Sequence, residues 1–194
     1  MRKLVVAAIT SLDGYCEGPG GDVMVLPMDH TFDEHNAERL RSASTLLLGR
    51  NTFQGFLRFW PPVAADPAER PVEREISRRN SAIEKVVVSD GLTPAGTGVW
   101  AGTTRIVSRA QAHAEVAALK EGDGGDVLVF GSRTMWHDLL RAGLVDELYL
   151  MVGPVVLGGG SPTLPVGAAL RLLEARTRRD SDNVLLRYDA RPTA

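Results

Sequence analysis

Apolar residues gather in eight short runs along the chain, at residues 4–9, 45–48, 85–89, 104–107, 127–130, 147–152, 170–175 and 184–188. Most of these runs are near-continuous in Val, Ile and Leu rather than alternating, which is the pattern of strands covered on both faces. Helical spacing fills several of the intervals. Phe32, Ala37 and Leu40 recur in that rhythm over 32–40, and the segments 71–83 and 110–119 do likewise. In 134–140, Met135, Leu139 and Leu140 share one side, with Gly143 placed as the stop. Strand and helix alternate as far as Gly143, and three strands then follow with no clear helix between them. That order predicts an α/β chain: a mixed, mostly parallel sheet with flanking helices on both faces and antiparallel C-terminal strands. The stretch 61–71 carries Pro61, Pro62, Pro67 and Pro71 and is expected to cross the surface as a loop, as is the glycine-rich stretch 154–165. No linker divides the chain, so one domain over 1–190 is expected.

Composition narrows the functional classes. A chain of 194 residues can bury a core without disulfides or metals. Its formal net charge of -2, with both signs spread along the sequence, gives no basic field for nucleic acid. Cys16 is the sole cysteine, so an internal disulfide is excluded. His30, His35, His113 and His137 match no zinc-ligand spacing, and no metal is expected. The N-terminal apolar run is too short for a signal peptide, and no run approaches a membrane span of roughly 18 residues. The expectation is a cytoplasmic protein with neither nucleic acid nor membrane as a partner.

Two junctions carry the candidate chemistry. Leu46-Leu47-Leu48-Gly49-Arg50-Asn51-Thr52-Phe53 reads as a strand that breaks at Gly49 and opens a helix. The first N–H groups of a helix lack intrahelical partners and sit at the positive end of its dipole, so a phosphate fits there with Arg50 as counter-charge. Val127-Leu128-Val129-Phe130-Gly131-Ser132-Arg133-Thr134 repeats the arrangement. Two such helix starts at the carboxyl ends of parallel strands face one crevice and suit a ligand with two anionic groups, such as a dinucleotide. The same residues also serve plain structural ends: Gly49 as a tight turn, Ser132 and Thr134 as helix caps. Other nucleotide and hydrolase signatures fail. Gly96, Gly98 and Gly102 have one residue too many for G-x-G-x-x-G, and neither a P-loop nor a G-x-S-x-G elbow is present. Gly158-Gly159-Gly160 followed by Ser161 is either a second anion nest, on the substrate side, or a wide turn between strands.

Six motifs then occur in order: Ser11-Leu12-Asp13-Gly14, Leu48-Gly49-Arg50-Asn51-Thr52-Phe53, Phe59-Trp60-Pro61, Val129-Phe130-Gly131-Ser132, Leu144-Val145-Asp146-Glu147-Leu148 and Pro154-Val155-Val156-Leu157-Gly158-Gly159-Gly160. Together they resemble the dihydrofolate-reductase-like superfamily, in particular the branch of the C-terminal reductase domain of the bifunctional riboflavin-biosynthesis deaminase/reductase. The resemblance implies an NADPH-dependent reductase acting on a small heteroaromatic or ribosylated pyrimidine- or pterin-like compound. It implies that Gly49, Arg50 and Thr52 hold the adenosine-side phosphates, with Arg50 on the 2′-phosphate, and that Ser89 flanks the adenine. Gly131, Ser132, Arg133 and Thr134 would cradle the pyrophosphate, and Ala8, Leu12 and Gly14 would lie along the nicotinamide, with Asp13 shaping that turn. Phe56, Trp60, Gly158, Gly159 and Gly160 are the substrate-side candidates. Asp33 and Asp29 both qualify as the proton partner, and each also qualifies as a helix cap or first-turn carboxylate. A homodimer is implied by the branch. The alternative is a nucleotide- or ligand-binding module that keeps the fold without turnover.

Overall fold

The computed structural model describes residues 1–191. Its chain order is β1 (Leu4–Thr10), β2 (Tyr15–Glu17), α1 (His30–Ser42), β3 (Ala43–Gly49), α2 (Arg50–Val63), α3 (Pro71–Ala82), β4 (Glu84–Val88) and β5 (Thr104–Val107). There follow α4 (Ala112–Glu121), β6 (Asp126–Phe130), α5 (Arg133–Arg141), β7 (Glu147–Val152), β8 (Ser161–Pro162), β9 (Arg171–Arg178) and β10 (Ser181–Asp189). Eight strands form one sheet in the order β5-β4-β3-β6-β1-β7-β10-β9, and β2 pairs with β8 in a small second sheet. Every pairing from β5 to β7 is parallel, while β10 runs antiparallel to both β7 and β9. This is the α/β architecture the hydrophobic pattern predicts.

The period of two along each strand divides the core. In β1, Val5, Ala7 and Ile9 face one way and Leu4 and Val6 the other; in β3, Leu46 and Leu48 oppose Leu47. The first face is covered by α1, α2 and α3 through Ala37, Leu40, Phe53 and Ile76. The second is covered by α4 and α5 through Val116, Trp136 and Leu139. Helices on both faces are what make continuous Leu and Val runs stable in the central strands.

Two expectations need correction. Helix α2 does not stop before the prolines; Pro61 and Pro62 lie in its last turn. The two prolines withhold the N–H groups that would bond the Leu57 and Arg58 carbonyls, and in the same last turn the Trp60 carbonyl accepts from Ser77 Oγ of α3 at 2.6 Å. The run at 170–175 is not a strand covered on both faces. It begins the exposed edge strand β9, where Leu172 and Leu173 are 54% and 40% accessible. No helix among the described residues is long and apolar enough to cross a membrane.

Candidate active site

Strands β3 and β6 are parallel neighbours, so their carboxyl ends open on the same edge of the sheet, and each leads directly into a helix. The two junctions are bonded to each other. Ser132 Oγ accepts from the Gly49 N–H at 2.8 Å and donates to Thr52 Oγ1 at 2.9 Å, and the Ser132 N–H donates to Thr52 Oγ1 at 3.0 Å. Ser132 therefore does not cap α5 with its hydroxyl, as expected from its position; the hydroxyl reaches across to the start of α2. Gly131 and Ser132 are both left-handed, at φ 56° and 55°. Glycine bears that conformation freely, whereas a side-chain-bearing residue there costs about 1–2 kcal/mol, which the three cross-junction bonds offset. A Cβ on Gly131 would come within 3.3 Å of Thr52, and one on Gly49 within 3.2 Å of Ser132 Oγ. The left-handed φ calls for glycine at 131, and at 49 a larger residue would have to push Ser132 back by a few tenths of an ångström.

The network leaves specific groups for a ligand. Thr52 Oγ1 accepts two hydrogen bonds from Ser132, so its own proton is unspent. The N–H groups of Arg133 and Thr134, in the first turn of α5, directly follow the Ser132 that joins the two helix starts and have no intrahelical partner. Among the described residues, neither Arg50 nor Arg133 has a carboxylate at ion-pair distance. The Arg50 guanidinium lies over the turn after β4, where a Cβ on Gly91 would stand 3.0 Å from its Nη1. Ser89 builds that turn: its buried Oγ accepts from the Gly91 and Leu92 N–H groups at 3.1 and 2.9 Å. The Ser89 hydroxyl is therefore committed to shaping the loop against which Arg50 rests.

On the far side of the cleft the β1–β2 turn is tied down. Leu12 is exposed but donates its N–H to Val155 O at 2.8 Å, and Gly14 has a φ of 90°. Asp13 accepts from Ser11 Oγ at 2.6 Å, from the Leu157 N–H at 3.0 Å and from the Gly158 N–H at 2.7 Å. Those bonds, led by the Ser11 hydroxyl, pull its pKa down to about 2. The Gly158 amide, one of the candidate anion donors, is thus already occupied by the chain's own carboxylate. Gly160 is pressed against β2, where a Cβ would collide with Glu17 O, and Gly159 faces open space. Ala8, expected along a nicotinamide, packs its side chain with the second core cluster on the α5 side of the sheet.

The aromatic candidates form a wall on the opposite face. Phe56 lies 6.3 Å from both Trp60 and Phe130, ring centre to ring centre, and all three belong to the first core cluster or pack against it. Phe130 is a member that sequence reasoning missed; its place at the end of β6, next to Gly131, was the available signal.

The two carboxylates separate. Asp29 is the N-cap of α1, accepting from the Phe32 N–H at 3.0 Å and from Ser181 Oγ at 2.5 Å. Burial opposes its charge, but these donors win and its pKa is lowered, which fits a cap and not an acid. Asp33 is buried, and burial raises its pKa; Arg70 opposes the rise, but its guanidinium is shared with Glu73. Of the pair, Asp33 has the environment of an acid, held by an arginine that begins α3.

Residues 2–186 match the RibD C-terminal domain. The chain belongs to that family. The Bacillus subtilis (strain 168) protein YyaP, described as uncharacterized, is 28% identical over 185 residues, covering 95% of this chain and 92% of that protein. A putative riboflavin biosynthesis protein from Shewanella sp. PV-4 superposes with a TM-score of 0.69 at 21% identity, over 98% of this chain and 99% of the other. A dihydrofolate reductase from Enterococcus faecalis, solved with NADP(H), superposes with a TM-score of 0.58 at 16% identity, over 96% and 95% of the two chains. These likenesses establish a reductase-type, dihydrofolate-reductase-like fold for this RibD C-terminal domain.

Proposed function

We propose that this RibD C-terminal domain is an NADPH-dependent reductase of a small heteroaromatic or ribosylated pyrimidine- or pterin-like compound. The observation that carries the reading is the pair of hydrogen-bonded helix starts at the carboxyl ends of β3 and β6, flanked by an arginine with no carboxylate partner. The residues fit a phosphorylated dinucleotide. Arg50 would take the 2′-phosphate, and the amides of Arg133 and Thr134 with the Thr52 hydroxyl would take the pyrophosphate. When bound, NADPH supplies the hydride. The chain itself orients and excludes water: Phe56, Trp60 and Phe130 present an apolar wall to a flat ring, and Asp13 fixes the 155–158 loop over the cleft. Of the two carboxylates, Asp33 is the better proton partner, because burial raises its pKa while the Arg70 ion pair works against the rise. The molecule would work as a homodimer in the cytoplasm, and light scattering should give twice the mass of the chain.

Calorimetric titration with NADPH and NADH tests the reading. The wild-type protein should bind NADPH tightly and NADH more weakly. Arg50→Ala should weaken NADPH by about 10- to 100-fold, the range of a lost charge-assisted contact, and leave NADH nearly unchanged. Equal losses for both nucleotides would remove the 2′-phosphate assignment. A second reading, a ligand-binding module without turnover, draws on the Asp29 cap and the Asp33–Arg70 ion pair, which leave neither carboxylate unengaged. Under that reading NADPH binds but no substrate oxidises it.

A further inference from the structure

The sheet ends on β9, which among the described residues has β10 on one side and no strand on the other. Seven of its eight residues are exposed, Leu172 and Leu173 among them. The unpaired backbone N–H and C=O groups along such an edge are a template for another strand, and natural edges are commonly short, bulged or charged to prevent it. In β9 the irregularities lie toward the two ends. Pairing with β10 shifts between Arg187 and Tyr188 and between Ser181 and Val184, while Glu174, Ala175, Arg176 and Thr177 lie opposite Arg187, Leu186, Leu185 and Val184 without a break. The middle of the edge is therefore regular strand, able to accept a neighbour.

The side chains of that window select the neighbour. Glu174 and Arg176 share the face on which Leu185 joins the first core cluster, and Arg176 donates to Glu174 Oε1 through Nε at 3.1 Å and Nη2 at 2.9 Å. Ala175, between them, stands on the other face and is small. Consider an antiparallel copy of the same strand, related by a two-fold axis that passes through Ala175 normal to the sheet. Glu174 then lies opposite the partner's Arg176, and Arg176 opposite the partner's Glu174. Facing positions of opposite charge stabilise a strand pair, and like charges there destabilise it. The intrastrand bond need not break, since it uses only Oε1 of Glu174 and leaves Oε2 for the second guanidinium. A slide of two residues would set glutamate against glutamate or arginine against arginine, and a slide of one would turn the charges to opposite faces. The Glu-Ala-Arg segment is thus complementary to itself read backwards, which a second copy of the chain supplies and an unrelated strand matches only by coincidence.

We propose that β9 is the interface for a second copy of this chain: two copies pair antiparallel about Ala175 and join their eight-stranded sheets into one continuous sheet. The same pairing carries Leu172 and Leu173 of each copy toward the other end of the facing β9 and withdraws them from water. This interface presupposes the homodimer proposed with the function, and gives it a surface and a register.

The test is sedimentation equilibrium of the whole protein over a dilution series. The wild type is compared with Glu174→Arg, Arg176→Glu and the double variant Glu174→Arg/Arg176→Glu, each checked for the wild-type fold by circular dichroism. The wild type should dimerise. Each single reversal sets like charges face to face at both symmetry-related contacts and should weaken dimerisation by about tenfold or more. The double variant restores opposite charges across the axis and should regain most of that affinity. If a reversal does not fold, Ala175→Lys at its exposed position opposes two ammonium groups across the axis and makes the same comparison. Single variants that dimerise as tightly as the wild type, or a double variant as weak as the singles, would overturn this interface and leave the homodimer standing. A wild type that stays monomeric throughout would remove the homodimer and this interface together.

Discussion

Ser132 concentrates the argument at the scale of single residues. Its hydroxyl serves the Gly49 amide and Thr52 at once, and its backbone is held left-handed to do so. Ser132→Ala should remove both side-chain bonds and leave the half-buried Gly49 N–H unpaired, a loss of about 1–3 kcal/mol in stability read from the urea midpoint. NADPH affinity should fall in the same variant, because the two helix starts lose their register. A stability loss with unchanged nucleotide binding would show that the cross-link serves the fold alone. The sequence displayed the residue but not this use of it: Ser before a helix reads as a cap, and only the neighbouring junction, about eighty residues earlier in the chain, makes it a bridge.

Among the elements, α2 is the one whose end depends on a partner. Prolines at 61 and 62 deprive its last turn of N–H donors, and Ser77 from α3 completes the Trp60 carbonyl. Ser77 is fully buried, so Ser77→Ala takes this donor from the carbonyl of the half-buried Trp60. The expected cost is about 1–3 kcal/mol, with faster amide exchange in the last turn of α2 and a changed Trp60 fluorescence spectrum. If exchange there matches the wild type, the carbonyl has found another donor and the coupling between α2 and α3 is weaker than the geometry suggests. The proline pair was visible in the sequence and implied a loop, yet α2 carries both in its last turn and ends at Val63, with α3 packed against it. The edge strand β9 makes the complementary point, since its leucines match a buried pattern while its place at the end of the sheet leaves them exposed.

For the whole molecule, the titrating groups predict a two-stage acid response. Burial, reinforced by Arg39, Arg176 and Arg178, draws the His35 pKa from 6.5 down to about 3. The unfolded chain therefore takes up this proton first, and stability falls as pH drops below 6.5 until about 3, with a limiting slope of about 1.4 kcal/mol per pH unit. The pKa of His137 is lowered by burial too and adds in the same direction. The carboxylates act later. Burial raises Glu147, but Arg187 and Lys3 overcome it and hold the pKa at about 2. Its contribution is complete above the unfolded value of 4.5 and is lost as pH falls through about 2. Urea midpoints at about pH 7 and pH 5 should show a drop that His35→Leu largely abolishes. A drop of the same size in both proteins would mean that His35 accepts its proton within the folded state.

The amino-acid sequence by itself determined the layers of this protein. Short Val-, Ile- and Leu-rich runs alternating with helical spacing can be buried only in a parallel sheet covered on both faces, and glycines at 49 and 131 mark where strands must turn sharply into helices. These are local facts, set by the side-chain periods of two and 3.6 and by the conformational freedom of glycine. Tertiary structure alone decided how the hydrogen-bonding groups were spent. It gave the Gly158 amide to Asp13, the Asp29 carboxylate to a helix cap, Asp33 to Arg70 and, among the described residues, no hydrogen-bond partner to the His35 ring. A polar group's partner is chosen by which segments the sheet order brings within about 3 Å, a distance that no spacing along the chain encodes.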